Sequence, residues 1–197
     1  MNCKLQSMPT VGVIAIQGDF AKHIEALQRL GRRDLNAVEV RTPEELSQVD
    51  RAIIPGGEST TVGMLMERFG LGKALQDRAS QGMPIWGTCM GMIVMAKIVD
   101  GRKDQYTLGM LDVSVERNAF GAQVHSFEDE VTLKGMETPV MGVFIRAPVV
   151  TRLGKEVEAI GSYDGRVVAV RQGNLLGTSF HPELTDDSRL HEWFLSF

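Results

Sequence analysis

The chain has 197 residues, 43% of them hydrophobic and 23% charged, a composition typical of one globular domain with a sizeable core. A formal net charge of −4 gives no electrostatic reason to expect binding of nucleic acid or an anionic membrane. Two cysteines, Cys3 and Cys89, are too few for a disulfide framework and fit a reducing compartment. Because neither a signal peptide nor a membrane-length apolar run is present, we expect a cytoplasmic protein with a single domain over residues 1–197.

The first half of the chain alternates short apolar runs with segments of helical periodicity. The first predicted helix follows Asp19 and places Phe20, Ile24 and Leu27 on one face. His23 falls outside that apolar stripe, so we predict a solvated side chain. Strands that alternate with helices indicate an open parallel sheet with helices on both faces. The strands are predicted at 11–16, 37–40, 51–54 and 84–86, and the later helices from Thr42, over 61–69 and over 73–81.

The second half consists of shorter segments joined by turns, which predicts several antiparallel strands. We therefore predict an α/β fold: a single-domain open, mostly parallel or mixed sheet flanked by helices, with additional antiparallel strands in the C-terminal half. A final amphipathic helix is expected over 187–197. The predicted strands of this half lie at 111–116, 130–134, 140–145, 156–163, 166–172 and 175–180.

The segment around Cys89 has the layout of a nucleophile elbow. A short strand runs into Gly87-Thr-Cys-Met-Gly91 and then into an apolar helical run over 92–99. Glycines on both sides relieve the crowding of such a sharp turn, and the N–H groups at the helix start favour a thiolate. A free cysteine is also a common small buried hydrophobe, and the motif alone leaves both interpretations open.

Two other predicted strand ends carry groups that a thiol nucleophile needs. His181 and Glu183 flank Pro182, and an extended backbone would point both side chains the same way, as a base and its orienting group. The alternative is an exposed turn. Gly57, with Gly56 before it, can offer a backbone N–H to an oxyanion together with the N–H of Met90, or can simply form a tight turn before a helix.

These three motifs together resemble the triad (class I) glutamine amidotransferase family. The resemblance extends over about residues 11–197, and it is closest to the glutaminases that serve pyridoxal 5′-phosphate synthase. Four longer strings carry this narrower resemblance: Pro-Gly-Gly-Glu-Ser-Thr-Thr at 55–61, Val-Glu-Arg-Asn-Ala-Phe-Gly at 115–121, Phe-Ile-Arg-Ala-Pro at 144–148 and Phe-His-Pro-Glu-Leu-Thr at 180–185.

The resemblance implies hydrolysis of L-glutamine to L-glutamate and ammonia. Cys89 would attack the side-chain amide, and the N–H groups of Gly57 and Met90 would bind the oxyanion. His181, oriented by Glu183, would protonate the departing ammonia and then activate water. For the two arginines of the pocket, surface ion pairing is the alternative interpretation. The residues that the resemblance places around the substrate are Gly57, Glu58, Ser59, Arg117, Ile145 and Arg146.

The same resemblance implies that the ammonia passes to a (β/α)₈-barrel synthase subunit. Pyridoxal 5′-phosphate is then the product of the assembly, so we expect no cofactor and no metal in this chain. Members of the family need this partner for full activity, and the Gly56-Gly57 peptide is the natural element to be switched.

Some positions depart from the family pattern. Met90 stands where alanine is usual, while Ala122 and His125 replace an expected arginine and an acidic residue. We expect neither His125 nor His191 to act in catalysis.

Three other functions are compatible with parts of the sequence. They are a glutaminase for another ammonia-channelling synthase, a non-catalytic thiol sensor on the same fold, and a cysteine esterase or peptidase. The sensor would not need the His181 motif, and the esterase would not explain the arginine strings.

Overall fold

A mixed sheet runs through the centre of the protein. The computed structural model describes residues 8–120 and 126–197, so Cys3, Ala122 and His125 lie outside the described residues. The strands of the described chain are β1 Thr10–Ile14, β2 Asn36–Val40, β3 Arg51–Ile54, β4 Ile85–Thr88, β5 Ala96–Val99, β6 Leu111–Glu116, β7 Phe127–Val131, β8 Val140–Phe144, β9 Val149–Leu153, β10 Glu158–Tyr163, β11 Arg166–Gln172 and β12 Leu175–Thr178.

The strand order places three functional strand ends side by side. The sheet runs β2-β1-β3-β4-β12-β11-β9-β6-β5, with β10 beside β11. Its first five strands are mutually parallel, and β12 meets β4 with Thr178 opposite Thr88. Strands β11, β10 and β9 pair antiparallel, as do the separate strands β7 and β8. The predicted fold class is confirmed, and the carboxyl ends of β3, β4 and β12 meet at one edge.

Helices cover both faces of the sheet because neighbouring residues of each strand point to opposite sides. In β3, for example, Ile53 packs into one apolar core while Ala52 and Ile54 pack into the other. The core of Ile54 is closed by the second to fifth helices, and the core of Ile53 by the first and last helices with β7 and β8. The helices are α1 Phe20–Arg29, α2 Pro43–Leu46, α3 Ser59–Arg68, α4 Leu71–Ser80, α5 Met90–Met95 and α6 Arg189–Phe194.

The sequence did not predict strands β5 and β9, and it placed β7 about three residues too late in the chain. The helix predicted over 92–99 ends at Met95, where Ala96 turns to an extended backbone and β5 begins. An apolar run that no polar residue interrupts is compatible with either a buried helix or a buried strand. In the structure, residues 96–99 pair with β6 and therefore form a strand. Strand β9 was not predicted, because its last three residues are exposed and show no alternation.

The prediction of a solvated His23 is wrong, since its side chain is 0% exposed. Helix α1 is covered on this side by α6 and by a 3₁₀ turn at Pro182–Leu184. Helical periodicity identifies the face that meets the sheet, but not a second layer that closes over the helix from the distant C-terminus.

Across residues 8–120 and 126–197, the structure contains no helix with the length and apolar character required to cross a bilayer.

Candidate active site

Cys89 lies on a strained turn between β4 and α5. Its φ of 47° and ψ of −105° are values that a residue with a side chain rarely adopts. A Cβ on Gly87 would lie 2.6 Å from the carbonyl oxygen of Gly91, and one on Gly91 would lie 2.9 Å from the carbonyl carbon of Ile54. Only glycine fits at either position, so the predicted strand–turn–helix elbow is confirmed, and its strain holds the thiol in a fixed direction.

The thiol of Cys89 faces a cleft at the carboxyl edge of the sheet. The Cys89 backbone N–H donates to the carbonyl of Thr178 at 2.7 Å, which ties the elbow to β12. The Sγ atom lies 3.8 Å from the carbonyl oxygen of Ile145. Because Met90 is the first residue of α5, its N–H has no partner within the helix and is available to an anion beside the sulfur.

His181 and Glu183 form a buried hydrogen-bonded pair next to this elbow. His181 Nδ1 lies 2.8 Å from Glu183 Oε1, and the two residues are 5% and 1% exposed. The His181 backbone N–H donates to the carbonyl of Val143 at 2.8 Å. The segment is not extended as expected: Glu183 sits in the 3₁₀ turn, and this turn folds the carboxylate back onto the imidazole.

The charges at this pair favour an imidazolium beside a carboxylate. Burial opposes the charged form of His181, but hydrogen bonds and charge from Cys89 and Glu183 outweigh it and raise the pKa of His181 to about 11. Burial likewise favours a neutral Glu183, yet the nearby His23 and His181 lower the pKa of Glu183 to about 2. A charged imidazole close to Cys89 stabilises a thiolate, the reactive form of cysteine.

The cleft has a volume of about 380 Å³, and the residues predicted around the substrate line it. Glu183 lies behind His181, outside the lining. The structure also places Gln17, Asp19, Ile93 and Asn118 in the lining, and the sequence had assigned none of these four to the site. The predicted residues that line the cleft are Gly57, Glu58, Ser59, Cys89, Met90, Arg117, Ile145, Arg146 and His181.

The Gly56-Gly57 turn packs directly against the imidazole of His181. A Cβ on Gly56 would lie 2.9 Å from His181 Nδ1 and closer still to Cε1. A Cβ on Gly57 would lie 3.3 Å from Gly18 Cα and 3.5 Å from the terminal methyl of Met90. Met90, which stands where the family usually has alanine, is 2% exposed. Its side chain packs against this turn and belongs to the apolar core. The methionine therefore packs against the Gly57 turn and is also one of the residues that line the cleft.

Gln105 connects two residues of the cleft, a role that the sequence did not reveal. Its Oε1 accepts hydrogen bonds from Ser59 Oγ at 3.3 Å and from Arg117 Nη1 at 3.0 Å. Gln105 thus fixes two predicted substrate residues relative to each other, although it lies in an irregular segment with no motif. Only the folded chain brings the three side chains together.

Glu58 and the two arginines differ in how their charges are used. Glu58 caps α3 by accepting from the N–H groups of Thr60 and Thr61 at 3.1 and 2.8 Å, and these bonds lower its pKa to about 2. Within the described part of the chain neither Arg117 nor Arg146 forms an ion pair, which argues against the surface-pairing interpretation. Both arginines line the cleft.

Asp19, His181 and Glu183 are the residues closest to a metal-binding arrangement among those described. Their potential ligand atoms lie within 4.8 Å of one another. His181 Nδ1 and Glu183 Oε1 are already joined by a hydrogen bond, so an ion would have to break this pair. The arrangement fits an imidazole held by a carboxylate better than a metal centre.

A strained cysteine elbow, a buried imidazole–carboxylate pair and a polar cleft define the chain as an α/β protein with the parts of a cysteine-dependent hydrolase. The model of the SNO glutamine amidotransferase family matches residues 13–197. The chain therefore belongs to the SNO glutamine amidotransferase family, and the resemblance predicted from the motifs is confirmed.

Relatives and a solved structure agree with this assignment. The chain is 54% identical over 190 residues to "Pyridoxal 5′-phosphate synthase subunit PdxT" of Herpetosiphon aurantiacus, covering 94% of this chain and 98% of the relative. It is 48% identical over 188 residues to the protein of the same name from Bacillus licheniformis, covering 95% and 94%. A solved structure titled "Crystal structure of glutamine amidotransferase" superposes with a TM-score of 0.88 at 48% identity, covering 94% of this chain and 97% of that one.

Proposed function

We propose that this chain is the glutaminase subunit of a pyridoxal 5′-phosphate synthase and hydrolyses L-glutamine to L-glutamate and ammonia. The single observation that carries the proposal is the His181–Glu183 pair, buried at 2.8 Å beside the Cys89 elbow, in a member of the glutamine amidotransferase family. The narrower assignment is supported by relatives of about half-identical sequence that bear the synthase name.

The reaction follows from the positions of three side chains. The Cys89 thiolate attacks the side-chain amide carbon of glutamine, and the oxyanion that forms accepts from the N–H groups of Met90 and Gly57. His181 gives a proton to the departing nitrogen, which leaves as ammonia with the thioester behind it. His181 then takes a proton from water, which cleaves the thioester, while Glu183 holds the imidazole throughout.

The substrate is oriented by charges at the cleft rim. Arg117 and Arg146 can bind the α-carboxylate of glutamine, for which a guanidinium is the preferred bidentate donor. The Ser59 hydroxyl, Glu58 and the backbone at Gly57 and Ile145 line the rest of the cleft.

The ammonia is a reagent for a second subunit in this proposal. The relatives' printed name describes a subunit, and we assign the partner as a (β/α)₈-barrel synthase. Pyridoxal 5′-phosphate would be made there, so this chain needs neither a cofactor nor a metal of its own for the chemistry proposed. A cytoplasmic location stays a prediction from the sequence.

The test is release of ammonia and glutamate from L-glutamine, measured with and without the synthase subunit. We expect a low rate for the isolated chain and a clear increase with the partner. If no ammonia is released in either case, the glutaminase assignment is wrong and the thiol-sensor alternative is favoured. Release that another ammonia-using synthase stimulates, but the pyridoxal phosphate synthase does not, would redirect the partner assignment.

Gln105→Ala should weaken glutamine binding more than chemistry. Loss of the Gln105 amide frees both Ser59 and Arg117, so we expect KM for glutamine to rise by about tenfold while kcat falls by less than about threefold. Steady-state kinetics in the presence of the synthase subunit measure both constants. Gln76→Ala, at a glutamine whose amide binds the carbonyl of Leu108 away from the cleft, is the matched control. An unchanged KM would show that Gln105 does not organise the pocket.

A further inference from the structure

A second pair of buried histidines lies behind Glu183. His23 on α1 and His191 on α6 are both 0% exposed, and His23 Nδ1 lies 3.0 Å from His191 Nε2. Neither side chain reaches the cleft, and the reaction proposed above does not use them. Fully buried polar rings destabilise a fold unless they are hydrogen-bonded, so the contacts of this pair indicate what it does.

His23 is placed to hold the outer oxygen of Glu183. Its Nε2 lies 3.4 Å from Glu183 Oε2 and 3.2 Å from Thr88 Oγ1. Oε1 of the same carboxylate is hydrogen-bonded to His181, whereas Oε2 is buried and has no hydrogen-bond partner within the described residues. A buried carboxylate with a single donor is poorly compensated, and the His23 ring is the group that faces its second oxygen.

The protonation of the two rings follows from their burial. Burial lowers the pKa of His23 against the opposing charge of Glu183, and burial also lowers the pKa of His191 well below its ordinary value. Burial therefore favours the neutral form of both rings, in which each ring carries one N–H. The titratable groups that face the two rings are Asp19 just before α1, Arg29 on α1, His181 and Glu183 at the 3₁₀ turn, and Asp187 before α6.

Only one arrangement of these two protons satisfies the contacts. His191 Nε2–H donates to His23 Nδ1, and His23 Nε2–H points at Glu183 and Thr88. His191 Nδ1 is then a bare lone pair, in agreement with its lack of a partner among the described residues. The reverse arrangement would bury an N–H without an acceptor and set the lone pair of His23 Nε2 against the carboxylate.

We propose that His23, aligned by His191, is a positioning residue that holds the outer oxygen of Glu183 and thereby fixes His181 toward Cys89. The inference rests on the glutaminase chemistry proposed above. A neutral ring stabilises the carboxylate by its N–H dipole and adds no second positive charge to compete with the His181 imidazolium. The same contact joins α1 and α6 to the end of β4, so tertiary packing of two helices sets the geometry of the nucleophile.

Two substitutions at His23 separate this role from simple packing. His23→Met fills similar volume without an N–H, and His23→Gln keeps an amide that can donate to Glu183 and accept from His191. In the complex with the synthase subunit, we expect His23→Met to lower kcat by about 10-fold to 100-fold with KM for glutamine nearly unchanged. His23→Gln should recover most of the loss. Thermal melting of each variant establishes that the fold is retained.

A second readout does not depend on turnover of glutamine. The rate at which iodoacetamide alkylates Cys89, followed by mass spectrometry of its peptide, rises with pH as the thiolate forms. Without the His23 N–H, the carboxylate of Glu183 is less stabilised, and its support for the His181 imidazolium weakens. We expect the midpoint of the alkylation profile to move to higher pH in His23→Met and to return toward the parent profile in His23→Gln.

Three results would overturn the inference. These are a folded His23→Met with unchanged kcat, an unshifted alkylation profile, and a His23→Gln as impaired as His23→Met, which would assign the effect to packing. A parent protein that releases no ammonia in the complex, yet shows the predicted shift in alkylation, would instead contradict the proposed function and leave the positioning role of His23 in place.

Discussion

Cys89→Ala is expected to abolish ammonia release, lowering kcat in the complex by about 10⁴-fold to 10⁶-fold. The reason is that the thiolate forms the covalent bond to glutamine, and no other cysteine is seen in the cleft formed by the described residues. The measurement is glutamate formation by the variant mixed with the synthase subunit, at protein concentrations high enough to detect a residual rate.

The control for this variant is to show that it still folds and still binds glutamine although it cannot hydrolyse it. Alanine removes one sulfur from a side chain that is 8% exposed, so the melting temperature should change by only a few degrees. Glutamine should still bind, since Arg117 and Ser59 are untouched, and calorimetry detects this directly. A folded Cys89→Ala that keeps even a tenth of the parent rate would mean that another group attacks the amide.

Gly56→Ala should reduce kcat by about 100-fold or more while the chain still folds. The new methyl would lie 2.9 Å from His181 Nδ1 and 3.2 Å from Nε2, so the imidazole must move. The ring cannot move without stretching its 2.8 Å bond to Glu183. A displacement of about 1 Å in a reacting group is enough for a 100-fold loss of rate. Overpacking should also lower the free energy of unfolding by about 1–3 kcal/mol.

The matched control is Gly101→Ala, in a turn far from the cleft. A Cβ there meets nothing within 4 Å, although the φ of +69° makes alanine strained. We expect a loss of about 1 kcal/mol in the free energy of unfolding and an unchanged kcat. Urea unfolding and steady-state kinetics on both variants test the pair. Equal kcat values for the two alanine variants would show that Gly56 is not required for the position of His181.

The sequence predicted those parts of the site whose structure depends only on residues close together along the chain. The Gly87–Gly91 elbow depends on residues within a few positions of Cys89, and the turn at Gly56-Gly57 likewise depends on its own neighbours in the chain. Apolar runs also predicted β1, β3 and β4, because a buried parallel strand needs apolar side chains on both faces. Motif resemblance then gave the family, which the comparisons confirm.

The prediction of a solvated His23 failed because other elements pack against both sides of α1. The sequence of α1 records only the face that meets the sheet, whereas the opposite side is buried by residues more than 150 positions away. Gln105 was missed for a similar reason, since its two partners come from α3 and from the end of β6. The boundary between α5 and β5 was misplaced because one apolar run serves both elements.

The sequence by itself determined the fold class, the nucleophile elbow and the family, because each depends on side chains close together along the chain. Only the tertiary structure decided how the imidazole of His181 and the carboxylate of Glu183 meet, at what distance, and what lies behind them. Those contacts join segments from α1, β4, β12 and α6, and the direction of a buried side chain is set by the layer that packs over it. For Glu183, that layer supplies the ring of His23.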